Sequence, residues 1–166
     1  MKNLTRKIQT GLNIISYVVL LLNWVYVIKQ FKHLPNIIPT HFDAYGTANG
    51  FGEKNTIWVL PIIATILTIM MSAVIKLPQK LQNRKAEQTV TPSNYFEKTA
   101  FTLSILKLNI LLLFFYITYT SIREASQRTP SLGKYFIFVF LLAVLTPTFF
   151  LILQSFNLKK KTYPTT

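Results

Sequence analysis

Composition and charge together indicate an integral membrane protein. Hydrophobic residues make up 51% of the 166 positions and the mean hydropathy is +0.36, which is too apolar for an ordinary soluble domain. The net charge of +13 would suggest nucleic-acid binding in a soluble chain, but most of the basic residues flank apolar runs, so we expect no nucleic-acid partner. The absence of cysteine excludes disulfides, thiolate metal ligands and cysteine nucleophiles.

Four apolar segments are long enough to cross a bilayer, for which a helix needs about 20 residues. They cover residues 11–28, 57–75, 100–122 and 135–156. Their polarity does not alternate, which favours helices over barrel strands. We therefore predict an all-α integral membrane protein with four transmembrane helices and an ordered outer loop between the first two. Residues 1–158 would form one membrane domain and 159–166 a basic, disordered cytoplasmic tail.

The loop at residues 33–54 has an unusual composition, because it contains both histidines, three of the five glycines and two of the five acids. Pro35 and Pro39 should hold their neighbours extended, while the three glycines permit positive φ or close backbone approach. We predict a shaped loop that lies over the helix ends. Its aromatic residues Phe42, Tyr45 and Phe51 would pack on the headgroup layer or the helix tops.

This loop resembles a known family signature in the run Leu34-Pro35-x-x-Ile38-Pro39-x-His41-Phe42-x-x-x-Gly46-x-x-x-Gly50-x-Gly52-x-Lys54. The signature is that of domain of unknown function 1648, which is also found at the N-terminal end of SdpI-type immunity proteins that protect bacteria from a secreted peptide toxin. With the flanking helices the resemblance covers residues 14–75. Asn49 stands where the family commonly has Asp, and Asp43 where it commonly has Asn. The resemblance implies a small protein of the bacterial cytoplasmic membrane with an immunity or signal-sensing role.

The candidate recognition residues are those of the motif: Pro35, Pro39, His41, Phe42, Asp43, Gly46, Gly50, Gly52 and Lys54. We assign Pro39, Gly46 and Gly50 to the shape of the loop. His41, Asp43 and Lys54 are assigned to recognition of an extracellular peptide or a membrane-protein partner.

Two other interpretations of the loop remain open. Its polar side chains could hold its shape, with His41 and Lys54 bonded to the loop backbone or paired with Asp43 and Glu53. Alternatively, the loop could be a chemical site: His33, His41 and Asp43 could bind zinc, and acid-base groups could come from His41, Asp43, Glu53 and Lys54. No HExxH, GxSxG, P-loop or dinucleotide fingerprint is present, so we expect a nonenzymatic protein without a cofactor.

Lys107 is the one charged residue deep in an apolar run, where a charge costs about 2.5–3.5 kcal/mol. We expect it to snorkel to the cytoplasmic interface or to bond Asn13, Asn23 or Asn109. Pro147 should kink the fourth helix and free the carbonyl near Ala143, which Thr146 or water could then satisfy. The alternative function is a transport or membrane-complex assembly subunit, in which Lys107, Asn13, Asn23 and the kinked helix line a pathway. A membrane-embedded enzyme is the third reading.

The distribution of Lys and Arg predicts the orientation. If the N-terminus is cytoplasmic, eleven basic residues fall on the cytoplasmic side and six outside, which agrees with the positive-inside rule. Both termini should therefore be cytoplasmic, with the 33–54 loop outside and lipids as the surrounding partner.

Overall fold

The computed structural model describes residues 2–85, 95–126 and 131–162, and this part of the chain contains four long helices. They are α1 (Lys2–Gln30), α2 (Val59–Lys85), α3 (Tyr95–Arg123) and α4 (Phe136–Thr162). All four are long and apolar enough to cross a membrane, which confirms the predicted fold class. The helices extend past the apolar runs. In particular, α4 continues through residues 159–162, so the prediction of a disordered tail is wrong for these residues, and 163–166 lie outside the described part. Lysine is a good helix former, which allows α4 to continue into that polar segment.

Helix α3 is the centre of the bundle, because α1, α2 and α4 all pack against it. The apolar residues Val19, Ala64 and Leu111 meet where α1 and α2 contact α3. Ser16, Ala64 and Ser104 are fully buried. Such small residues let helix backbones approach closely, which is how helices associate in an apolar solvent.

Between α1 and α2 the chain forms an antiparallel β-hairpin, where the sequence had predicted only a shaped loop. Its strands are β1 (Ile37–Phe42) and β2 (Ala48–Glu53). Ile38 lies opposite Gly52 and His41 opposite Gly50, with irregular register on either side of His41. Short 3-10 helices, Phe31–His33 and Lys54–Trp58, connect the hairpin to α1 and α2.

We call the side of the bundle that carries this hairpin the hairpin end. There Leu34 and Ile38 are buried in a cluster with Val27, Ile57 and Ile122. The cluster thus joins β1 to residues of α1 and α3. Trp24 and Trp58, the two tryptophans, lie close to it with ring centroids 6.2 Å apart. The hairpin is therefore seated on the helices instead of extending freely from them.

Candidate recognition site at the hairpin end

The turn of the hairpin is organised by Asp43. One of its carboxylate oxygens, Oδ1, accepts the backbone N–H groups of Tyr45 and Thr47, each at 2.9 Å. The Asp43 carbonyl also accepts the N–H of Gly46, and the Asp43 N–H donates to the Thr47 carbonyl. Asp side chains often bond the following backbone in this way and fix tight turns. The carboxylate that we assigned to recognition therefore also determines the shape of the turn.

The three loop glycines are needed for two different reasons. Gly46 has φ +80°, a left-handed conformation that glycine adopts without strain. Gly50 and Gly52 lack positive φ and instead allow close cross-strand approach. A Cβ on Gly50 would lie 2.8 Å from the Cβ of His41, and a Cβ on Gly52 would lie 3.1 Å from Cγ2 of Thr40.

His41 forms an exposed polar pair with Asn49 across the hairpin. The ring Nδ1 lies 2.5 Å from Oδ1 of Asn49, so the ring N–H donates to the amide carbonyl. In a neutral ring this bond leaves Nε2 as a hydrogen-bond acceptor. Asn49 is one of the two positions at which the sequence departs from the resembled signature, and sequence reasoning gave it no partner.

Lys54 lies at the base of the hairpin. Its backbone N–H donates to the Asn36 carbonyl, and its amine lies 5.4 Å from the centroid of the Phe31 ring. A cation over an aromatic face is attracted by the ring quadrupole. The ion pairs that we find among the described residues, Arg6–Glu97 and Arg123–Glu124, do not include Lys54.

Large apolar side chains project from the hairpin into the surroundings. Tyr45 is 77% exposed and Phe51 is 57% exposed, so the helix tops do not cover them. The reason is the strand geometry: burial alternates along β2, and Phe51 lies on its exposed face. The other alternative, packing on the headgroup layer, stays a prediction. Phe42 is half-buried, Pro39 is buried and Pro35 is exposed.

The hairpin is also bonded to the segment that precedes α4, a contact that the sequence did not suggest. The N–H of Leu132 donates to the Gly46 carbonyl at 2.7 Å, and Thr47 forms an isolated antiparallel bridge with Ser131. The hydroxyl of Tyr116, on α3, donates to the Leu132 carbonyl at 2.6 Å. These bonds join the α1–α2 connection, which is the hairpin, to the segment that precedes α4.

Comparison with known proteins agrees with the motif. Residues 18–65 match domain of unknown function DUF1648. The predicted resemblance is thus confirmed, and the DUF1648 segment contains the hairpin and all nine motif residues. The chain is also similar to a protein of Archaeoglobus fulgidus described as "Uncharacterized protein", with 31% identity over 91 residues. That match covers 55% of this chain and 48% of the relative, so the chain spans about half of the relative's length. No solved structure matches the chain.

Beyond the DUF1648 segment, Lys107 is buried in the middle of the bundle and is only 1% exposed. Its amine donates to Oδ1 of Asn13 at 2.6 Å, lies 3.4 Å from Oγ of Ser72 and sits 4.9 Å from the centroid of the Tyr17 ring. The snorkelling prediction is therefore wrong, whereas the predicted bond to Asn13 is confirmed. Asn13 and Ser72 lie near the midpoints of α1 and α2, so the amine bonds within the bundle and does not extend to the membrane interface.

The other two asparagines form no hydrogen bond with Lys107 in the described part of the chain. Asn109 donates through Nδ2 to the Ala143 carbonyl at 2.9 Å. This is the carbonyl that Pro147 frees, so Asn109 takes the place that we had expected for Thr146 or water. Asn23 is buried, and its Oδ1 has no hydrogen-bond partner in the described part of the chain. Of the residues that we suggested could line a pathway, Lys107 and Asn13 are therefore in direct contact, and the pathway itself stays a prediction.

The zinc interpretation gains no support from the geometry. In residues 2–85, 95–126 and 131–162 there is no group of three His, Cys, Asp or Glu side chains placed to hold a metal ion. His41 faces Asn49 instead of an acid.

Proposed function

We propose that this is a nonenzymatic protein of the bacterial cytoplasmic membrane whose hairpin recognises an extracellular peptide, in an immunity or signal-sensing role. The observation that carries the proposal is the exposure of β2. Asn49, Phe51 and Glu53 alternate with the half-buried Ala48, Gly50 and Gly52 along this strand. A polar and an aromatic side chain therefore share one accessible face.

The backbone of β2 offers a second means of recognition. Within the described residues β2 pairs along its length with β1 alone, and β1 is the strand that packs on the helices. Extended peptides commonly bind by adding a strand to such an edge, where main-chain bonds give affinity and side chains give specificity. The bridge between Thr47 and Ser131 supports this mode, because another segment of the chain already pairs at the start of β2.

The rigid attachment of the hairpin favours recognition over a passive linking role. The Leu34 and Ile38 side chains anchor its base, and the Leu132 bond to Gly46 anchors its turn. A prearranged surface loses less conformational entropy when it binds a partner. With the termini in the cytoplasm, as the eleven-to-six distribution of basic residues favours, the hairpin would face secreted peptides.

A survival assay tests the immunity role. Cells that are sensitive to a secreted peptide toxin of the class countered by SdpI-type proteins would express the wild-type chain or single variants. We expect the wild type to protect, and Phe51→Ala and His41→Ala to lose protection at unchanged membrane yield. Phe149→Ala is the matched control, because Phe149 is 61% exposed and lies 13 residues, about 20 Å, beyond the start of α4 at the hairpin end. If the wild type does not protect, the immunity role is rejected.

A second assay addresses recognition itself. A photoreactive phenylalanine analogue at position 51 should crosslink to the toxin peptide on intact cells, whereas the same analogue at position 149 should not. Loss of yield in His41→Ala would instead assign His41 to the shape of the hairpin.

The second candidate is a transport or membrane-complex assembly subunit, and the buried amine of Lys107 favours it. Ionisable residues inside membrane proteins often mark functional sites. Under this candidate Lys107→Met should abolish function at normal yield, while Phe51→Ala should have no effect on function.

A further inference from the structure

A groove of about 520 Å³ opens between α3 and α4 at the hairpin end. Leu112 and Leu113 form its α3 wall, and Val139 and Ala143 form its α4 wall. Leu132 and Lys134, in the segment before α4, form its mouth. The groove lies outside the DUF1648 segment and is distinct from the exposed strand β2.

The walls of the groove suit an apolar ligand. Besides Lys134, the polar side chains of the lining are those of Asn109, Tyr116 and Tyr135. Asn109 donates to the Ala143 carbonyl and Tyr116 donates to the Leu132 carbonyl, while Tyr135 is 68% exposed. Lys134 is the one charged residue in the lining, it is exposed, and it lies at the mouth. No acidic residue lines the groove. The arrangement is thus an apolar slot with a positive charge at one end.

The depth of the groove corresponds to one leaflet. Asn109 and Tyr116 are seven residues apart on α3, as are Phe136 and Ala143 on α4, which is about 10 Å at 1.5 Å per residue. The mouth adds to this length, and half of a hydrocarbon core is about 15 Å.

We propose that this groove binds one acyl chain of an anionic phospholipid, whose phosphate contacts the amine of Lys134. The chain would lie between Leu112 and Val139 and extend toward Ala143. Charge complementarity at the mouth selects the anionic headgroup, and the apolar walls select the tail.

The bound lipid would also stabilise the hairpin, because two residues that line the groove also contact the turn of the hairpin. Leu132 lines the groove and donates its N–H to the Gly46 carbonyl. Gly133, which also lines the groove, has φ +92° and its carbonyl lies against Gly46. Filling the groove fixes this segment and therefore the turn of the hairpin. This inference is independent of the proposed recognition role.

The test compares the full chain in nanodiscs of phosphatidylcholine with and without phosphatidylglycerol of the same acyl chains. Phosphatidylglycerol should raise the melting temperature by about 3 °C or more. Val139→Trp fills the groove and should lose this rise, while Phe138→Trp, outside the lining, should keep it. Lys134→Gln should lose the preference for phosphatidylglycerol, while Lys32→Gln, at an exposed lysine of the same end, should retain it.

The coupling to the hairpin is measured with a spin label on Tyr45→Cys, since the chain has no other cysteine. Phosphatidylglycerol should reduce label mobility in the otherwise wild-type chain and leave it unchanged in Val139→Trp. The proposal is overturned if the melting temperature is the same with and without phosphatidylglycerol, or if phosphatidylglycerol still raises the melting temperature of Lys134→Gln. A lipid-independent dimer that Val139→Trp dissociates would show instead that a second copy covers the groove.

Discussion

The buried amine of Lys107, on α3, is tolerated because two neighbouring helices, α1 and α2, supply partners for it. A charge at the centre of a transmembrane helix costs about 2.5–3.5 kcal/mol on insertion scales. The Asn13 carbonyl oxygen, the Ser72 hydroxyl and the face of the Tyr17 ring all lie within reach of the amine. These groups are neutral, so their dipoles stabilise the cation without a desolvated carboxylate.

The Lys107 contacts predict an order of stabilities. Asn13→Leu should be the most damaging variant, by about 1.5–3 kcal/mol, because it leaves a buried charge without its closest acceptor. Lys107→Leu should cost about 1 kcal/mol or less, and Asn13→Leu with Lys107→Leu should be closer to wild type than Asn13→Leu alone. Thermal unfolding in detergent measures all three. Simple addition of the two single penalties would contradict the proposed contact.

Gly46 provides a second prediction for a single residue. Gly46→Ala places a side chain at φ +80° and 2.8 Å from the Gly133 carbonyl oxygen, which should cost of order 1–3 kcal/mol. Gly11→Ala is the matched control, because a Cβ there meets nothing within 4 Å and α1 gains helix propensity. Melting curves should separate the two variants in opposite directions. Equal stability of both would mean that the turn does not need the left-handed conformation.

At the scale of the element, the proline inside α4 is compensated by a contact from α3. Proline at 147 removes the N–H that would bond Ala143, and the Asn109 side chain donates to that carbonyl instead. Asn109→Leu should therefore cost about 1–3 kcal/mol, because it leaves a buried carbonyl without a donor.

The penalty should largely disappear in a Pro147→Ala background, where the backbone N–H of residue 147 can bond Ala143 again. A double-mutant cycle on purified protein checks this, with unfolding followed in one detergent throughout. An Asn109→Leu penalty of equal size in both backgrounds would show that Asn109 acts through some other contact.

The sequence predicted the four helices because long apolar runs have few alternatives in a bilayer. It did not predict the strands of the hairpin. Pro39 and the glycines at 50 and 52 are residues that weaken strands, and the alternation of burial in β2 is visible only once the fold is known. Here the glycines are tolerated because they allow close contact with His41 and Thr40.

At the scale of the whole molecule, the hairpin joins the two halves of the chain. It packs on α1 and α3 through Ile38, and it bonds the segment before α4 through Gly46. These contacts link residues far apart in sequence, so local patterns do not encode them. The motif residues are close together in the sequence, so they could be recognised as a group. The contacts of Asn49 and Leu132 depend on the fold and could not be predicted.

The orientation of the whole bundle is the last prediction. By sequence, the segments predicted to be cytoplasmic contain eleven Lys and Arg and those predicted to be outside contain six, so the hairpin should be extracellular. Because the chain lacks cysteine, a single Tyr45→Cys or Gln82→Cys gives one labelling site, and Tyr45 is exposed enough to be replaced without disturbing packing. An impermeant maleimide should label position 45 on intact cells and position 82 only after permeabilisation. The reverse pattern would place the hairpin in the cytoplasm, where it could not meet a secreted peptide, and the recognition proposal would fail together with the orientation.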